Sequence, residues 1–555
     1  MLPLNFEGNY IIRNLSNQLA AYGYIYYVSL TTGEPYAIEY IQFALAIFGI
    51  ILTIFALSIH ICAICFARKY LYKPGYLRLD NSSVDGQIIK SKSWINFKRN
   101  YEKCFARIKG CYSKCSKISC LCTTKLGVES KFEEANTSQN FTIVDVSQHI
   151  PLDHKQIQPV LTGFPGISIL KPLRGVDRNL EVNLTSYFHI EYPKYELLFC
   201  VADKSDASCE IVRKLQSIHP DIPSRLIVAD NNIGVNPKIT NLQAGYEAAQ
   251  YEFLLISDSG IWMRPDTLSD MVSIMLNDEQ TGMVHQMPFL TPYFDAIAHS
   301  APSETKTFPP YVSPDRPPFS WIVQLLFFGC WHAKIYLSAA ALGINCTTGM
   351  SCLLRKSVLL PLDGFKAFSC YLAEDYFLSK YCADRGWKIK LSRQPAWQNS
   401  PSQSISQFRA RIGRWAHLRL HMVVIAYLME PLSRFFPNAI FGALSFAYLL
   451  PDWIDPGVYM LCYFLIWFLL DYYLLLYIYP SCLPLCISKS EFLIGWIYSE
   501  VTALPFYLRV FFQKHVQWRD KLFRVHWGGV TEEIPLAVSP RLEESGSCSQ
   551  SISKE

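Results

Sequence analysis

A long apolar stretch near the N-terminus, residues 37–66, constrains this chain more than any other feature of its sequence. It is almost free of charge and long enough for one helix to cross a bilayer. A basic cluster follows directly, with Arg68, Lys69 and Lys73. Because positive residues stay on the cytosolic side of a membrane, we expect a transmembrane helix with residues 1–36 in the lumen and the following chain in the cytosol.

The composition is typical of a membrane-bound enzyme with one folded aqueous domain. The 555 residues are 50% hydrophobic and 17% charged, which is apolar for a soluble protein. The net charge of +5 is small for this length and gives no support for nucleic-acid binding, which needs a dense basic face. The 18 cysteines form no compact framework, so we expect mostly reduced thiols.

A basic, cysteine-containing segment comes next, and we treat residues 67–164 as an insertion or linker. Between Lys90 and Cys122, basic residues alternate with cysteines, without a paired CxxC and without a histidine. This spacing disfavours a zinc site. Attraction to anionic lipid, with palmitoylated cysteines, is the favoured interpretation. Residues 123–163 are polar and predict a poorly ordered linker.

From residue 165 onward, buried strands alternate with helices. This alternation predicts an α/β fold built on a parallel-dominated sheet. We assign residues 165–417 to this domain and place it in the cytosol. The predicted strands are 166–170, 195–201, 225–229 and 253–256, and the predicted helices are 180–187, 207–219 and 242–249.

Acidic residues follow two of the predicted strands. Asp203 and Asp206 come after the second strand, and Asp258 follows the fourth. Ligands bind beyond the carboxyl ends of parallel strands, and carboxylates there suit a hard divalent cation that carries a diphosphate. Asp206 and Asp258 are therefore candidate metal ligands. A helix N-cap explains Asp206 equally well, because a predicted helix follows it, whereas no helix directly follows Asp258.

Residues 345–415 carry a second group of candidates. An acidic pair ends in Asp375, which is a candidate base for an attacking hydroxyl. Arg411 and Arg414 lie three apart, on one face if this segment is helical, and would hold a departing diphosphate. Trp415 would form an aromatic wall. The alternative interpretation is a surface acidic pair and a basic amphipathic helix that lies on a membrane.

The chain is apolar again after this region, and we assign residues 418–513 to membrane-associated and transmembrane helices. Basic residues after the last apolar segment predict a cytosolic tail at 514–555 with a disordered end. Three crossings would place that tail in the lumen, so we expect one segment to re-enter or lie flat. The apolar segments are 435–450, 458–479 and 492–512, with a shorter amphipathic segment at 418–429.

Taken in order, these motifs resemble the ceramide glucosyltransferase family over residues 37–70 and 165–535. The resemblance is specific, because the wider group of inverting glycosyltransferases shares only two aspartates, the Glu-Asp pair and the Arg-x-x-Arg-Trp element. The motifs that carry it are Gly166–Asp177, Tyr192–Glu196, Gly234–Lys238, Ser257–Ile261, Thr348–Cys352, Ala373–Phe377, Asp384–Trp387, Gln398–Ser400, Ser404–Phe408, Arg411–Trp415 and Gly528–Ile534.

The resemblance implies a GT-A-type nucleotide-sugar-binding domain with an N-terminal transmembrane helix and C-terminal membrane helices. It implies inverting transfer of glucose from UDP-glucose to the primary hydroxyl of ceramide, giving β-glucosylceramide and UDP. The implied location is the Golgi membrane, with the endoplasmic reticulum as the alternative. UDP-glucose, ceramide and membrane lipid are the implied partners, nucleic acid is not among them, and a homo-oligomer is left open.

The resemblance also gives roles to single residues. A Mg²⁺ or Mn²⁺ ion at Asp206 and Asp258 would neutralise the leaving UDP. The implied roles are catalysis for Asp375, Arg411, Arg414 and Trp415; donor binding for Lys171, Asp203, Asp206, Lys238 and Asp258; and the acceptor side for His332 and Cys346.

Two alternatives remain open at this point. Another membrane GT-A glycosyltransferase, acting on a different lipid or a polysaccharide, would share these elements, although a processive synthase needs more spanning helices. A non-enzymatic lipid-binding scaffold would keep the fold. The intact Asp258, Asp375 and Arg411–Trp415 elements disfavour the scaffold.

Overall fold

The computed structural model describes residues 37–72, 164–229, 232–291, 316–401, 403–453, 455–480, 485–518 and 521–535. The predicted lumenal segment 1–36, nearly all of the insertion 67–164 and the tail beyond residue 535 lie outside these ranges.

The helices alternate with strands in the first half of the described chain and dominate the second half. The strands are β1 (Ile167–Pro172), β2 (Tyr195–Val201), β3 (Ser224–Val228), β4 (Phe253–Ser257), β5 (Ile261–Trp262), β6 (Thr281–His285), β7 (Pro288–Leu290), β8 (Ser351–Arg355), β9 (Lys388–Leu391), β10 (Ala396–Gln398), β11 (Val516–Trp518), β12 (Lys521–Val525) and β13 (Thr531–Ile534). The helices are α1 (Ala37–Tyr70), α2 (Leu180–Tyr187), α3 (Ser208–Ile218), α4 (Pro237–Ala248), α5 (Thr267–Leu276), α6 (Phe319–Leu326), α7 (Ala333–Leu342), α8 (Lys356–Leu359), α9 (Glu374–Asp384), α10 (Ile405–Met422), α11 (Val424–Leu432), α12 (Phe435–Leu449), α13 (Pro456–Ile478), α14 (Lys489–Val501) and α15 (Ala503–Phe511).

A seven-stranded sheet with the order β3-β2-β1-β4-β8-β6-β9 organises the first half. β1 pairs in parallel with β2 on one side, where Ile167 faces Tyr195, and with β4 on the other, where it faces Phe253. β8 runs antiparallel to both β4 and β6, and β6 pairs in parallel with β9. The sheet is therefore mixed but mostly parallel. The neighbours of β1 are β2 on one side and β4 on the other, which creates a crevice at their carboxyl ends.

The strands and helices predicted from the alternating pattern are present, with boundaries that shift by a few residues. The largest shift is at α4, which begins at Pro237 instead of residue 242. Asn236 caps this helix, because its side chain accepts a hydrogen bond from the Lys238 N–H, and proline suits the first helical position. The earlier start places Lys238 in the first turn of the helix.

Helix α1 packs through small side chains. Its buried positions include Ala46, Ala56, Ala63 and Ala67, at spacings that place them on one face. This face lies against α12, α13 and α7. Its other face exposes large apolar residues, and such a face is suited to contact with lipid. The exposed residues include Ile41, Leu45, Ile51, Ile54 and Ile61.

Three described helices are long and apolar enough to cross a membrane: Glu39–Tyr70, Phe319–Leu342 and Pro456–Ile478. The first and third correspond to predicted membrane segments. The second was not identified from the sequence and lies within the stretch assigned to the cytosolic domain. It joins α6 and α7 through a π-helical turn, Phe327–His332.

Two further predicted segments differ in form. The segment predicted at 492–512 is divided between α14 and α15. The segment predicted at 435–450, in contrast, forms one helix, α12, of 15 residues. The predicted amphipathic segment at 418–429 is also split, because α10 ends at Met422 and α11 begins at Val424. Leu418 and Leu420 are buried against protein.

A cluster of polar side chains joins the apolar helices at their centre. His60 Nε2 of α1 lies 2.9 Å from Asp471 Oδ1 of α13 and 3.2 Å from Lys334 Nζ of α7. Trp496 Nε1 of α14 donates to Asp471 Oδ2 over 2.9 Å. All four residues are buried. Charges in such surroundings persist where they are paired, so this cluster fixes α1 to the helices of the second half.

Part of the predicted tail is folded. β11, β12 and β13 form an antiparallel three-stranded sheet, the C-terminal sheet. Val516 and Phe523 of this sheet are fully buried and pack with Leu372 and Leu418 from the preceding domain. The described part of the tail therefore belongs to the folded body.

We expect Asp471→Asn to destabilise the protein, because it removes a buried negative charge that compensates Lys334 and accepts a hydrogen bond from His60. Removing one partner of a buried ion pair costs about 3–5 kcal/mol. Thermal unfolding in lipid nanodiscs measures the effect against Asp452→Asn, a change at an exposed aspartate. Equal melting temperatures for the two variants would show that the cluster contributes no stability.

Candidate active site

A cavity of about 650 Å³, the main cavity, lies at the carboxyl edge of the seven-stranded sheet. Leu173, Ala202 and Asp258, which follow β1, β2 and β4, line it on the sheet side. Side chains of the π-helical turn, α7, α9, α10 and α11 line the remainder. The main cavity therefore lies where parallel sheets bind ligands, and it extends to the apolar helices.

Lys238 joins two of the acidic residues that line the main cavity. Its Nζ lies 2.8 Å from Asp258 Oδ1 and 2.9 Å from Glu374 Oε1, and it donates to Gly349 O over 3.1 Å. Asn236 Nδ2 donates to the other oxygen of Glu374 over 3.0 Å. Burial lowers the pKa of Lys238, but the two carboxylates outweigh burial and raise it overall. Lys238 is thus a fixed cation between β4 and α9.

Asp375 lies beside this bridge in the first turn of α9. Its Oδ2 accepts the Gly349 N–H over 2.8 Å, and its Oδ1 accepts the Tyr376 N–H over 2.9 Å. A Cβ at Gly349 would lie 2.9 Å from Asp375 Cβ, so glycine permits the close approach. Burial and then the charge of Glu374 raise the pKa of Asp375 from 3.8 to about 6. Near neutral pH this carboxylate is an effective proton acceptor.

Helix α10 brings the arginine–tryptophan motif to the main cavity. The Arg411 guanidinium lies 4.9 Å from the Trp415 ring centre, and its Nη2 donates to Gln398 Oε1. Burial and then repulsion from Arg414 lower the pKa of Arg411 to about 10, so it remains a cation at neutral pH. The His332 ring stacks on the Trp415 ring, with 5.9 Å between the ring centres.

Two further pairs complete the wall of the main cavity. The Arg414 guanidinium lies 5.8 Å from the ring of Trp518, which comes from the C-terminal sheet. Arg419 Nη2 donates to Glu430 Oε2 over 3.0 Å and joins α10 to α11. No sequence pattern indicated Trp518, because it lies in a short strand of the predicted tail. Arg419 lies inside the predicted amphipathic segment 418–429 and Glu430 directly follows it, and no sequence pattern indicated that the two residues pair.

The predicted acceptor-side residues both line the main cavity. His332 is buried, and among the described residues its Nδ1 has no hydrogen-bond partner. Cys346 is a free thiol, and burial raises its pKa to about 12. Tyr336 also lines the main cavity, and its hydroxyl donates to Thr347 O over 3.2 Å.

Three of the predicted donor-binding residues are not among the described residues that line the main cavity. Lys171 is 1% exposed, and its Nζ donates to Asp258 O over 2.7 Å, so it supports the turn that carries Asp258. Asp206 accepts hydrogen bonds from the N–H groups of Gly175 and Ser208, as a helix-capping residue does. Asp203 accepts the N–H of Ser205 and is exposed.

The donor set does not fit the predicted two-carboxylate metal site. Asp206, just before α3, accepts hydrogen bonds from backbone N–H groups and is not among the described residues that line the main cavity, and Asp258 is already paired with Lys238. Within the described ranges, no group of three or more His, Cys, Asp or Glu side chains is arranged to hold a metal ion.

A protein-family profile that matches most of this chain identifies its family. The profile of glycosyl transferase family 21 matches residues 138–299 and 307–531, which is more than half of the chain. This chain belongs to glycosyl transferase family 21. The predicted family resemblance is confirmed.

The named relatives are similar to this chain over most of their own length. Ceramide glucosyltransferase 3 of Caenorhabditis elegans is 35% identical over 368 residues, which cover 66% of this chain and 74% of the relative. Ceramide glucosyltransferase 1 of the same organism is 32% identical, with 70% and 78% covered. Ceramide glucosyltransferase of Komagataella phaffii is 24% identical, with 68% and 85% covered.

Solved structures with similar chains are also glycosyltransferases. A mannosyltransferase of Pyrobaculum calidifontis in complex with GDP-Man and Mn²⁺ has a TM-score of 0.39 at 14% identity, with 63% of this chain and 88% of that chain covered. Glucosyl-3-phosphoglycerate synthase of Mycobacterium tuberculosis with Mn²⁺ and UDP has a TM-score of 0.29 at 13% identity, with 46% and 79% covered.

The predicted fold class of this family 21 member is confirmed. The described residues form an α/β domain with a parallel-dominated sheet, together with apolar helices that precede and follow it in the chain.

The raised pKa of Asp375 has a consequence for stability. The folded protein holds its proton up to about pH 6, whereas the unfolded chain releases it near 3.8, so ionisation of Asp375 opposes folding at neutral pH. We expect Asp375→Asn to melt at a higher temperature than the parent at pH 8. The difference should shrink as the pH falls through about 6 and vanish below 3.8.

Thermal unfolding across this pH range, with the exposed Asp221→Asn as control, measures the effect. A difference that does not depend on pH would contradict the raised pKa.

Proposed function

We propose that this chain is an inverting glucosyltransferase that moves glucose from UDP-glucose to the primary hydroxyl of ceramide, giving β-glucosylceramide and UDP. The observation that carries the proposal is one cavity lined at once by Asp375, by Arg411 and Arg414, and by side chains of the apolar helices. A base, diphosphate-binding cations and a lipid-side wall are the three parts that this reaction needs. The names of the relatives support ceramide as the acceptor.

The reaction requires one displacement. The hydroxyl oxygen of the acceptor forms a bond to the anomeric carbon of the α-linked sugar, and the bond from that carbon to the diphosphate oxygen breaks. The electron pair leaves with UDP, and the hydroxyl proton passes to the Asp375 carboxylate. A pKa of about 6 keeps Asp375 ionised at neutral pH and basic enough to share the proton in the transition state.

The leaving diphosphate gains negative charge as the bond breaks. Arg411 and Arg414 present planar guanidinium groups in the same cavity, and such groups bind phosphate oxygens in pairs of hydrogen bonds. Charge that grows in the transition state is stabilised more than the ground state by donors already in place. Contacts with Trp415 and Trp518 orient the two guanidinium groups.

The acceptor is a lipid, and the main cavity reaches the helices that suit a membrane. Trp331, Ile335 and Tyr336 of the Phe319–Leu342 helix line its far end. The hydrocarbon chains of ceramide would remain among these helices and the surrounding lipid while the headgroup enters the main cavity. His332 and Cys346 then border the acceptor. The N-terminus is lumenal and the catalytic domain cytosolic in this proposal, at the Golgi membrane or the endoplasmic reticulum.

A divalent cation, Mg²⁺ or Mn²⁺, remains a prediction for this chain. Asp258 is the predicted metal ligand that lines the main cavity, and Lys238 already supplies positive charge beside it. The steps above use only the side chains of this protein.

The decisive experiment incubates the purified full-length protein in nanodiscs with labelled UDP-glucose and ceramide, and then analyses the lipid extract. We expect labelled β-glucosylceramide that depends on ceramide. Label in a polymer, or in a different lipid when ceramide is omitted, would instead support the alternative glycosyltransferase.

We expect Asp375→Asn to lower kcat by about 10²–10⁴-fold, because an amide cannot accept the hydroxyl proton. UDP-glucose binding, measured by calorimetry, should remain because the diphosphate contacts are intact. In the parent, kcat/KM should rise as the pH increases through about 6. Near-normal turnover of the variant would transfer the role of base to Glu374.

Substitution of Arg414 distinguishes a catalytic role of the arginine pair from a role in anchoring α10 to the membrane. If Arg414 only attracts anionic lipid, lysine serves equally well, because a point charge is sufficient. If Arg414 binds the diphosphate, Arg414→Lys should cut kcat/KM for UDP-glucose by at least about tenfold, or about 1.4 kcal/mol. Arg409→Lys on the same helix, outside the main cavity, is the matched control. Full activity of both variants in membranes would make α10 an anchor.

A further inference from the structure

The C-terminal sheet contacts both catalytic elements, although its sequence predicted only a tail. The first contact is with the loop that leads to Asp375. Thr531 N donates to Cys370 O over 2.9 Å, and Tyr371 forms an isolated antiparallel bridge with Val530. Leu372 packs with Phe523 in a small apolar cluster. The chain just before α9 is thus held by hydrogen bonds and by packing.

The second contact is with α10, which carries the arginine–tryptophan motif. Gly528 N donates to His421 O over 3.0 Å, and Leu418 belongs to the same apolar cluster as Val516. Trp518 reaches the main cavity and lies 5.8 Å from the Arg414 guanidinium. One small sheet therefore binds two elements that are separate in sequence.

Gly529 lies at the point where these two elements meet. It has a φ of +85°, and a Cβ there would lie 2.7 Å from Phe377 Cζ of α9 and 2.8 Å from Met422 Cγ of α10. Phe377 follows Asp375 by two residues in the same helix. A side chain at residue 529 would therefore require Phe377, Met422 or the helices that carry them to shift, and the absence of one permits their close packing.

We propose that the C-terminal sheet is a positioning element of the transfer site, with Gly529 setting the distance between Asp375 and the arginine pair, and Trp518 orienting Arg414. This inference rests on the proposed function, because it assigns Asp375 to the acceptor and the arginine pair to the diphosphate of the donor in one reaction. The base must meet the acceptor hydroxyl while the arginines hold the diphosphate. Displacements of about 1 Å in such an arrangement cost about 10²-fold in rate.

The adjacent glycine supplies a matched control. Gly528 has a φ of +87°, almost the same as that of Gly529, and a Cβ there meets nothing within 4 Å. An alanine at either residue introduces a similar backbone strain, because both conformations disfavour L side chains. The difference between Gly529→Ala and Gly528→Ala therefore isolates the contact with Phe377 and Met422.

Full-length variants in nanodiscs test the proposal with UDP-glucose and ceramide. We expect Gly529→Ala to lower kcat by at least about tenfold relative to Gly528→Ala, with a KM for UDP-glucose within about threefold and a lower melting temperature because its Cβ is overpacked. In Gly529→Ala, the apparent pKa at which kcat/KM falls on acidification should differ from about 6, because the surroundings of Asp375 change. Equal kcat values and equal pH profiles for the two variants would overturn the proposal.

A second matched pair does not depend on glycine. Trp518 lines the main cavity, whereas Trp527 lies on the turn of the same sheet and is 70% exposed. We expect Trp518→Leu to lower kcat/KM for UDP-glucose by about tenfold and Trp527→Leu to remain within about twofold of the parent. Should Gly529→Ala fail to fold, this pair decides the question, and equal activities would overturn the proposal.

The two proposals fail in different ways. A parent protein that transfers no glucose to ceramide contradicts the proposed function. A parent protein that does so, with variants that behave like their matched controls, contradicts only the positioning role of the C-terminal sheet.

Discussion

The ammonium group of Lys238 is the interaction on which the candidate site depends. Asp258 comes from the end of β4 and Glu374 from the first turn of α9, and neither carboxylate would tolerate the other nearby without a cation between them. Because Lys238 lies between the two carboxylates and offsets part of their repulsion, α9 can begin at the sheet edge and present its next residue, Asp375, to the main cavity. The helix start at Pro237, which places Lys238 there, depends on the Asn236 cap.

This bridge also explains why Asp375 suits the role of a base. Burial and Glu374 raise its pKa, while Lys238 and two backbone N–H groups lower it, and the balance is about 6. Without Lys238 the pKa of Asp375 would be higher, so a smaller fraction of the carboxylate would be ionised at neutral pH. Without Glu374 it would be a weaker base. The structure therefore sets an intermediate basicity through opposing charges, and the result is a carboxylate that disfavours folding when ionised.

Sequence patterns predicted the elements that depend on local order and missed those that depend on packing between distant segments. Strands β1, β2 and β4 are mostly apolar, so they were recognisable, and Asp375, Arg411 and Lys238 do line the main cavity. Asp206 had two interpretations that its local sequence could not separate, and its contacts with the next turn favour the cap. The β-strands of the C-terminal sheet are short, and their partners, such as Leu372, lie far away in sequence.

The helix Phe319–Leu342 was missed because polar residues interrupt its apolar pattern, and those residues connect the apolar helices to the site. His332 stacks with Trp415 at the main cavity, whereas Lys334, two residues later, lies on a different face and joins His60 and Asp471. The π-helical turn that ends at His332 sets this register. One helix thus fixes the acceptor side of the main cavity to the buried charges between the apolar helices. A lipid acceptor held among those helices would therefore meet Asp375 from a defined direction.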